Sequence, residues 1–164
     1  MPYIFLNYRT QSDAYAAALL DELLIRRFGA DAIFRASRSI RPGVDYRQAI
    51  LSAIKESRVI LAVVGQGWDA VIREEDRRGE AGNSWARMEL AEAIRDGTVI
   101  IPILLAGAPS LVKMDLPDDL RGLAHYQYLR FDYRNISQDF FRISEELVHL
   151  LSTWNIAVGN ESGP

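Results

Sequence analysis

No cysteine occurs among the 164 residues, which excludes thiolate nucleophiles, disulfide staples and cysteine-ligated zinc. Histidine is nearly absent: His125 and His149 stand apart without ligand spacing, so neither a metal site nor a metal cofactor is expected. Long apolar runs are missing too. Val59–Val64 and Val99–Leu105 fall far short of the roughly 20 residues that span a bilayer, so no membrane partner is expected. The opening Met1-Pro2-Tyr3-Ile4-Phe5-Leu6 carries no charged leader and no cleavage site, and a cytoplasmic location is the expectation. An excess of positive charge is also lacking. Nineteen Lys and Arg stand against 22 Asp and Glu, for a net charge of -3, and the basic residues are scattered, which argues against nucleic acid as a partner.

What is present is the balance of a soluble globular domain, 49% hydrophobic and 25% charged, in a chain long enough to bury one core. Apolar strand-like runs alternate with helical periodicities. Tyr3–Tyr8 reads as a first strand. Ser12 then caps a helix in which Leu19, Leu20, Leu23 and Leu24 recur at helical spacing, ended by Gly29. Ala32–Phe34 is a second short strand, followed by a polar loop from Arg35 to Asp45 with a Pro42-Gly43 turn. A helix from about Asp45 to Ser57 precedes Val59–Val64, which is apolar on both faces and therefore central in a parallel sheet. The charged stretch Ile72–Glu80 reads as a solvated, mobile loop able to border a site. A helix opening at Trp85, the strand Val99–Leu105, the strand Tyr126–Phe131 and a helix over Ser137–Trp154 complete the series. The order predicts an α/β fold, a flavodoxin-like doubly wound sheet of five parallel strands with helices on both faces. The domain is read as residues 1–154, with 155–164 as a flexible tail or the start of a linker to a further sensor domain or partner.

The chemistry concentrates around Asn83-Ser84-Trp85-Ala86-Arg87-Met88-Glu89-Leu90. Ser84 is an N-cap residue, and the four-residue spacing sets Trp85 and Glu89 on one helical face, where an aromatic ring and a carboxylate can share a ligand. Gly65-Gln66-Gly67-Trp68-Asp69-Ala70 has the form of a dinucleotide fingerprint but follows the third strand instead of the first, so both glycines read as turn residues. Backbone at Gly65 is still expected to line a pocket, since open α/β sheets bind ligands at the carboxyl ends of their strands.

Four segments in register resemble a bacterial TIR (Toll/interleukin-1 receptor) domain of the NAD-cleaving type over nearly the whole chain. They are Ile4-Phe5-Leu6-Asn7-Tyr8-Arg9, Ser39-Ile40-Arg41-Pro42-Gly43-Val44-Asp45-Tyr46, Ser57 to Gly65 with Trp68, and Trp85-x-x-x-Glu89-Leu90. The chain departs from the family pattern at Asn7, where serine is usual, at Thr10, where a second arginine often follows, and at Ser84, where aspartate is frequent. It also has Arg35-Ala36-Ser37-Arg38 where related domains often carry acidic residues.

The resemblance implies cleavage of the nicotinamide–ribose bond of NAD+, with NAD+ as substrate and no cofactor. Glu89 is then the catalytic carboxylate. Nicotinamide leaves neutral from a cationic ring, so one carboxylate suffices where glycosidases need two. Trp85 and Tyr8 would provide flat walls, and Arg9 would meet a phosphate. The products would be nicotinamide and ADP-ribose or a cyclic isomer, in antiphage defence signalling. Self-association with other TIR domains is implied through the loop bearing Arg38, Ile40, Arg41, Pro42, Gly43 and Asp45. The competing expectation is a TIR scaffold that assembles without catalysis. A phosphoacceptor receiver is disfavoured, because the first strand ends in Asn7-Tyr8-Arg9 and not in a carboxylate cluster.

Overall fold

A computed structural model describes residues 2–80, 82 and 84–156. Asn83 and all but the first two residues of the expected tail lie outside that set. Five parallel strands, β1 (Ile4–Asn7), β2 (Ile33–Phe34), β3 (Val59–Val64), β4 (Val99–Leu105) and β5 (Leu129–Phe131), form one sheet in the order β2-β1-β3-β4-β5. The helices are α1 (Thr10–Phe28), the single turn α2 (Ala36–Ser39), α3 (Tyr46–Glu56), α4 (Trp68–Arg77), α5 (Trp85–Asp96) and α6 (Ile136–Thr153). The flavodoxin-like doubly wound sheet expected from the alternation of elements is the architecture observed.

Strand periodicity divides the core in two. Phe5, Ile60, Ala62, Val64, Ile100 and Leu104 face one side, with Ile50 and Ile54 of α3, Trp68 and Ile72 of α4, and Leu90 and Ala93 of α5. Their neighbours Ile4, Leu6, Leu61, Val63, Ile101 and Ile103 face the other, under Leu20 and Leu24 of α1 and Ile143 and Leu147 of α6. Successive side chains on a strand point to opposite faces, so the central strands β3 and β4, covered on both sides, are apolar throughout. Every residue of β3 is buried. The chain leaves β1, crosses to β2 on one side and returns to β3 on the other, which creates a topological switch point at the carboxyl end of β1. Asn7, Tyr8 and Arg9 stand there.

Several local expectations are corrected. Most of the stretch Ile72–Glu80 is not a loop: Trp68–Arg77 is α4, entered from Gly67 at φ 77, and only Arg78 to Glu80 lie outside the helix. Trp68 and Ile72, one turn apart, bury its inner face, while ion pairs of Glu74 with Arg77 and Arg78 hold the outer one. Ser12 does not cap α1. The helix begins at Thr10 directly off the strand, and the Arg9 carbonyl accepts from the Asp13 N–H at 2.9 Å. The loop after β2 contains the turn α2, closed by the Ser39 hydroxyl accepting from the Arg35 N–H at 3.0 Å. β5 has three residues and not six, because only Ile103–Leu105 of β4 pair with it. Elsewhere Asp45 caps α3 by accepting from the Gln48 N–H, and Gly97 at φ 70 ends α5. Among the described residues no helix is long and apolar enough to cross a membrane.

Candidate functional site

A cavity of about 500 Å³ opens at the switch point. Its floor comes from the end of β1 and the first turns of α5, its rim from α2, the start of α3 and the stretch containing Glu75 and Glu80. Ser84 caps α5 by accepting from the Arg87 N–H at 3.3 Å, and this fixes the register that turns Trp85 and Glu89 to the same side. Both line the cavity, at different depths. Glu89 is 6% exposed and forms the floor, whereas Trp85 is 40% exposed and stands at the rim.

Glu89 is held by Asn7. The Asn7 Nδ2 donates to Glu89 Oε2 at 2.7 Å and to the Ala86 carbonyl at 2.9 Å, and Asn7 itself is 2% exposed. Burial raises the Glu89 carboxyl from its ordinary value to about 8, and the Asn7 amide opposes that shift by bonding the charged form. A carboxyl in such a state changes charge readily when a cation arrives beside it.

Three aromatic rings surround it. Tyr8, at the end of β1, lines the cavity and shares a hydrogen bond of 3.1 Å with the Ser37 hydroxyl. Tyr46, the first residue of α3, meets Trp85 edge-on. Burial raises the Tyr46 phenol above its ordinary value, and the neighbouring Glu89 and Tyr8 act in the same sense. This group of a buried carboxylate under aromatic walls suits a flat ring that carries positive charge.

Arg9 is the cation of the cavity wall. It is 5% exposed, pairs with Glu75 of α4 and reaches the Ser84 hydroxyl at 3.4 Å. Burial lowers its pKa, with Asp13 acting in the opposite sense and Arg87 in the same. Arg87, directed away from the cavity, binds Asp119 through two hydrogen bonds of 2.9 and 2.8 Å and also Asp76. That ties α5 to α4 and to the connection after β4.

The structure thus brings Tyr8, Arg9, Trp85 and Glu89 together. Gly65 is elsewhere, outside the cavity lining. It sits against Asp13 of α1, where any Cβ would overlap Asp13 Oδ1, so its absent side chain serves the packing of α1 on the β3–α4 turn. The expected assembly loop divides as well. Arg41, Pro42, Gly43 and Asp45 are exposed, but Arg38 grips Asp21 of α1, a fully buried carboxylate, at 3.0 Å from both Nε and Nη2. Arg35 joins the same carboxylate at 2.8 Å, and Ile40 packs on the core. Arg38 and Ile40 therefore anchor the loop, while the stretch from Arg41 to Asp45 is exposed.

Asn7, Tyr46 and Glu75 were not expected in the site. Asn7 was visible as a departure from the family's serine and Tyr46 as the last residue of the assembly segment, and Glu75 lay in a stretch read as a solvated loop able to border a site, with no role of its own.

Among solved structures, the fold is shared with the TIR domains of the activated Roq1 resistosome directly recognising the pathogen effector XopQ, at 15% identity over 91% of this chain and 98% of that one, TM-score 0.63. The TIR domain of the Toll-related receptor TRR-2 from the lower metazoan Hydra magnipapillata is 19% identical over 89% of this chain and 97% of that one, TM-score 0.56. A metazoan TIR-STING receptor from C. gigas is 19% identical over 91% of this chain and 39% of the receptor, TM-score 0.57. At these identities the likeness is one of fold. No curated protein matches the chain. A family model described as the TIR domain matches residues 4–147, and the chain therefore belongs to the TIR domain family.

Proposed function

We propose that this TIR domain is an NAD+ nucleosidase of the bacterial type, with Glu89 as its catalytic carboxylate. The observation that carries the reading is the burial of Glu89 beneath Tyr8, Tyr46 and Trp85 in one cavity. A scaffold gains nothing from a carboxylate set there, whereas a cationic ring and the ribose attached to it do. In the free site burial keeps the carboxyl largely protonated at neutral pH. A pyridinium entering between the aromatic walls favours the carboxylate, and the proton leaves to solvent. The bond from ribose C1′ to the ring nitrogen then breaks, its electron pair goes to nicotinamide, and positive charge develops on the ribose. Glu89 offsets that charge more strongly in the transition state than in the bound ground state. Water adding at C1′ and losing a proton gives ADP-ribose, and attack by the adenine of the same molecule gives a cyclic isomer. Arg9 meets the diphosphate once its hold on Glu75 loosens.

Assembly belongs to the same reading. Arg41 to Asp45 is exposed and leads directly into Tyr46, so a neighbouring TIR domain seated on the loop acts on the cavity rim. The presence of TIR domains of the same fold in an activated resistosome supports a place in defence signalling. The test is release of nicotinamide from NAD+ by the purified protein at high concentration, with chromatographic separation of ADP-ribose from cyclic products. The reading requires release that is lost in Glu89→Ala.

A further inference from the structure

Asn7 stands at the end of β1, where its backbone is paired with Ala62 of the central strand β3. Its amide spans two acceptors on α5, the Ala86 carbonyl at 2.9 Å and Glu89 Oε2 at 2.7 Å. A backbone carbonyl can only accept, so the nitrogen and not the oxygen of the amide must face α5. The reversed amide would set Oδ1 against the carbonyl and against the carboxylate, both at hydrogen-bond distance in a buried place. Oε2 is consequently always an acceptor. Any proton that Glu89 carries sits on Oε1, the oxygen that Asn7 does not bond.

We infer that Asn7 is a positioning residue, which fixes Oε1 as the titrating oxygen of Glu89 and holds Oε2 and the first turn of α5 to the sheet. The inference rests on Glu89 as the reacting carboxylate of the proposed function. Because one amide bonds both Ala86 and Glu89, it sets the height of the carboxylate relative to Trp85, which neighbours Ala86 in the same turn. The serine usual at this position in the family presents one rotating hydroxyl, which can donate or accept. It therefore cannot hold one polarity toward two acceptors.

The test reads Glu89 directly in the unliganded protein. Glutamate labelled with 13C at the carboxyl is followed by NMR against pH, the Glu89 resonance being assigned by its loss in Glu89→Gln. Asn7→Leu removes the donor at similar volume, and the Glu89 midpoint is expected to rise by about one pH unit, a tenfold gain in proton affinity. Asn7→Asp keeps the shape but replaces the donor by a second carboxyl. It is expected to raise the Glu89 midpoint further and to couple two titrations. The pH profile of kcat/KM for nicotinamide release should move with the midpoint. A Glu89 midpoint unchanged in either folded variant overturns the inference. If Asn7→Leu fails to fold, Asn7→Asp decides alone. Wild-type protein that cleaves no NAD+ defeats the functional reading, while the NMR titration still decides the role of Asn7.

Discussion

The Tyr46 and Trp85 rings meet edge to face, with centroids 5.2 Å apart and planes at 74°. Tyr46 opens α3 and Trp85 opens α5, so the contact joins the end of the exposed loop to the helix bearing Glu89. A movement of the loop changes the cavity rim without disturbing either core, since both rings are substantially exposed, Tyr46 at 43% and Trp85 at 40%.

That exposure separates two roles for Trp85. A fully buried tryptophan replaced by alanine costs about 3–5 kcal/mol. Trp85→Ala is expected to cost below about 1.5 kcal/mol while strongly reducing NAD+ cleavage, and Trp85→Phe to melt like the wild type with reduced turnover. Thermal melts beside a nicotinamide-release assay check both. A large drop in melting temperature with cleavage intact would return Trp85 to a packing role.

Arg38 and Arg41 lie three residues apart and should behave oppositely. Arg38→Ala strips two hydrogen bonds from the buried Asp21 and should cost about 1–3 kcal/mol in urea denaturation. Arg41→Glu lies on the surface and should stay within about 0.5 kcal/mol of wild type. Its effect is expected on self-association, as a weaker rise of specific activity with protein concentration.

Gly65 and Asp13 are coupled by contact. Gly65→Ala drives a methyl into the Asp13 carboxyl and should destabilise by about 1–3 kcal/mol. Combined with Asp13→Ala, the same methyl has room, so a double-mutant cycle in urea should show a coupling of about 0.5 kcal/mol or more. Additive losses would mean that the close approach carries no energy.

Stability should depend on pH through Glu89. Its carboxyl is raised from 4.5 to about 8 in the fold, so between these values the folded state holds a proton that the unfolded chain has released. This contribution is therefore fully present below about pH 4.5, declines as pH rises, and is gone above about pH 8. Glu89→Gln removes the titration, and relative to it the wild type should lose up to about 1.4 kcal/mol per pH unit across that window. Urea denaturation of both proteins at several pH values gives the comparison, and parallel profiles would contradict the burial of a neutral Glu89.

The sheet was legible because its strands are short, mostly apolar runs, and Val59–Val64, buried on both faces, could only be central. The Ser84 cap and the four-residue step from Trp85 to Glu89 are local, so half of the site could be read as well. Helix α4 escaped because its buried face is only Trp68 and Ile72, set among seven charged residues between Asp69 and Arg78. Asn7 escaped for another reason. Its partner Glu89 is 82 residues away, and only the strand order that brings β1 under α5 makes them neighbours. Arg38 read as a surface charge because the carboxylate it binds, Asp21, sits on the far side of β2 in sequence, on a helical face whose burial by sequence pattern alone pointed to leucines.

The role proposed for Glu89 is to supply negative charge to the breaking nicotinamide–ribose bond. It is tested most directly by the rate of nicotinamide release from NAD+ by concentrated wild-type and Glu89→Gln proteins, both shown to be folded by the same thermal melt. Glutamine keeps the shape and cannot ionise, so a loss of at least about 100-fold in kcat is expected, of the size seen when one preorganised stabilising group is removed. Equal rates from the two folded proteins would contradict it.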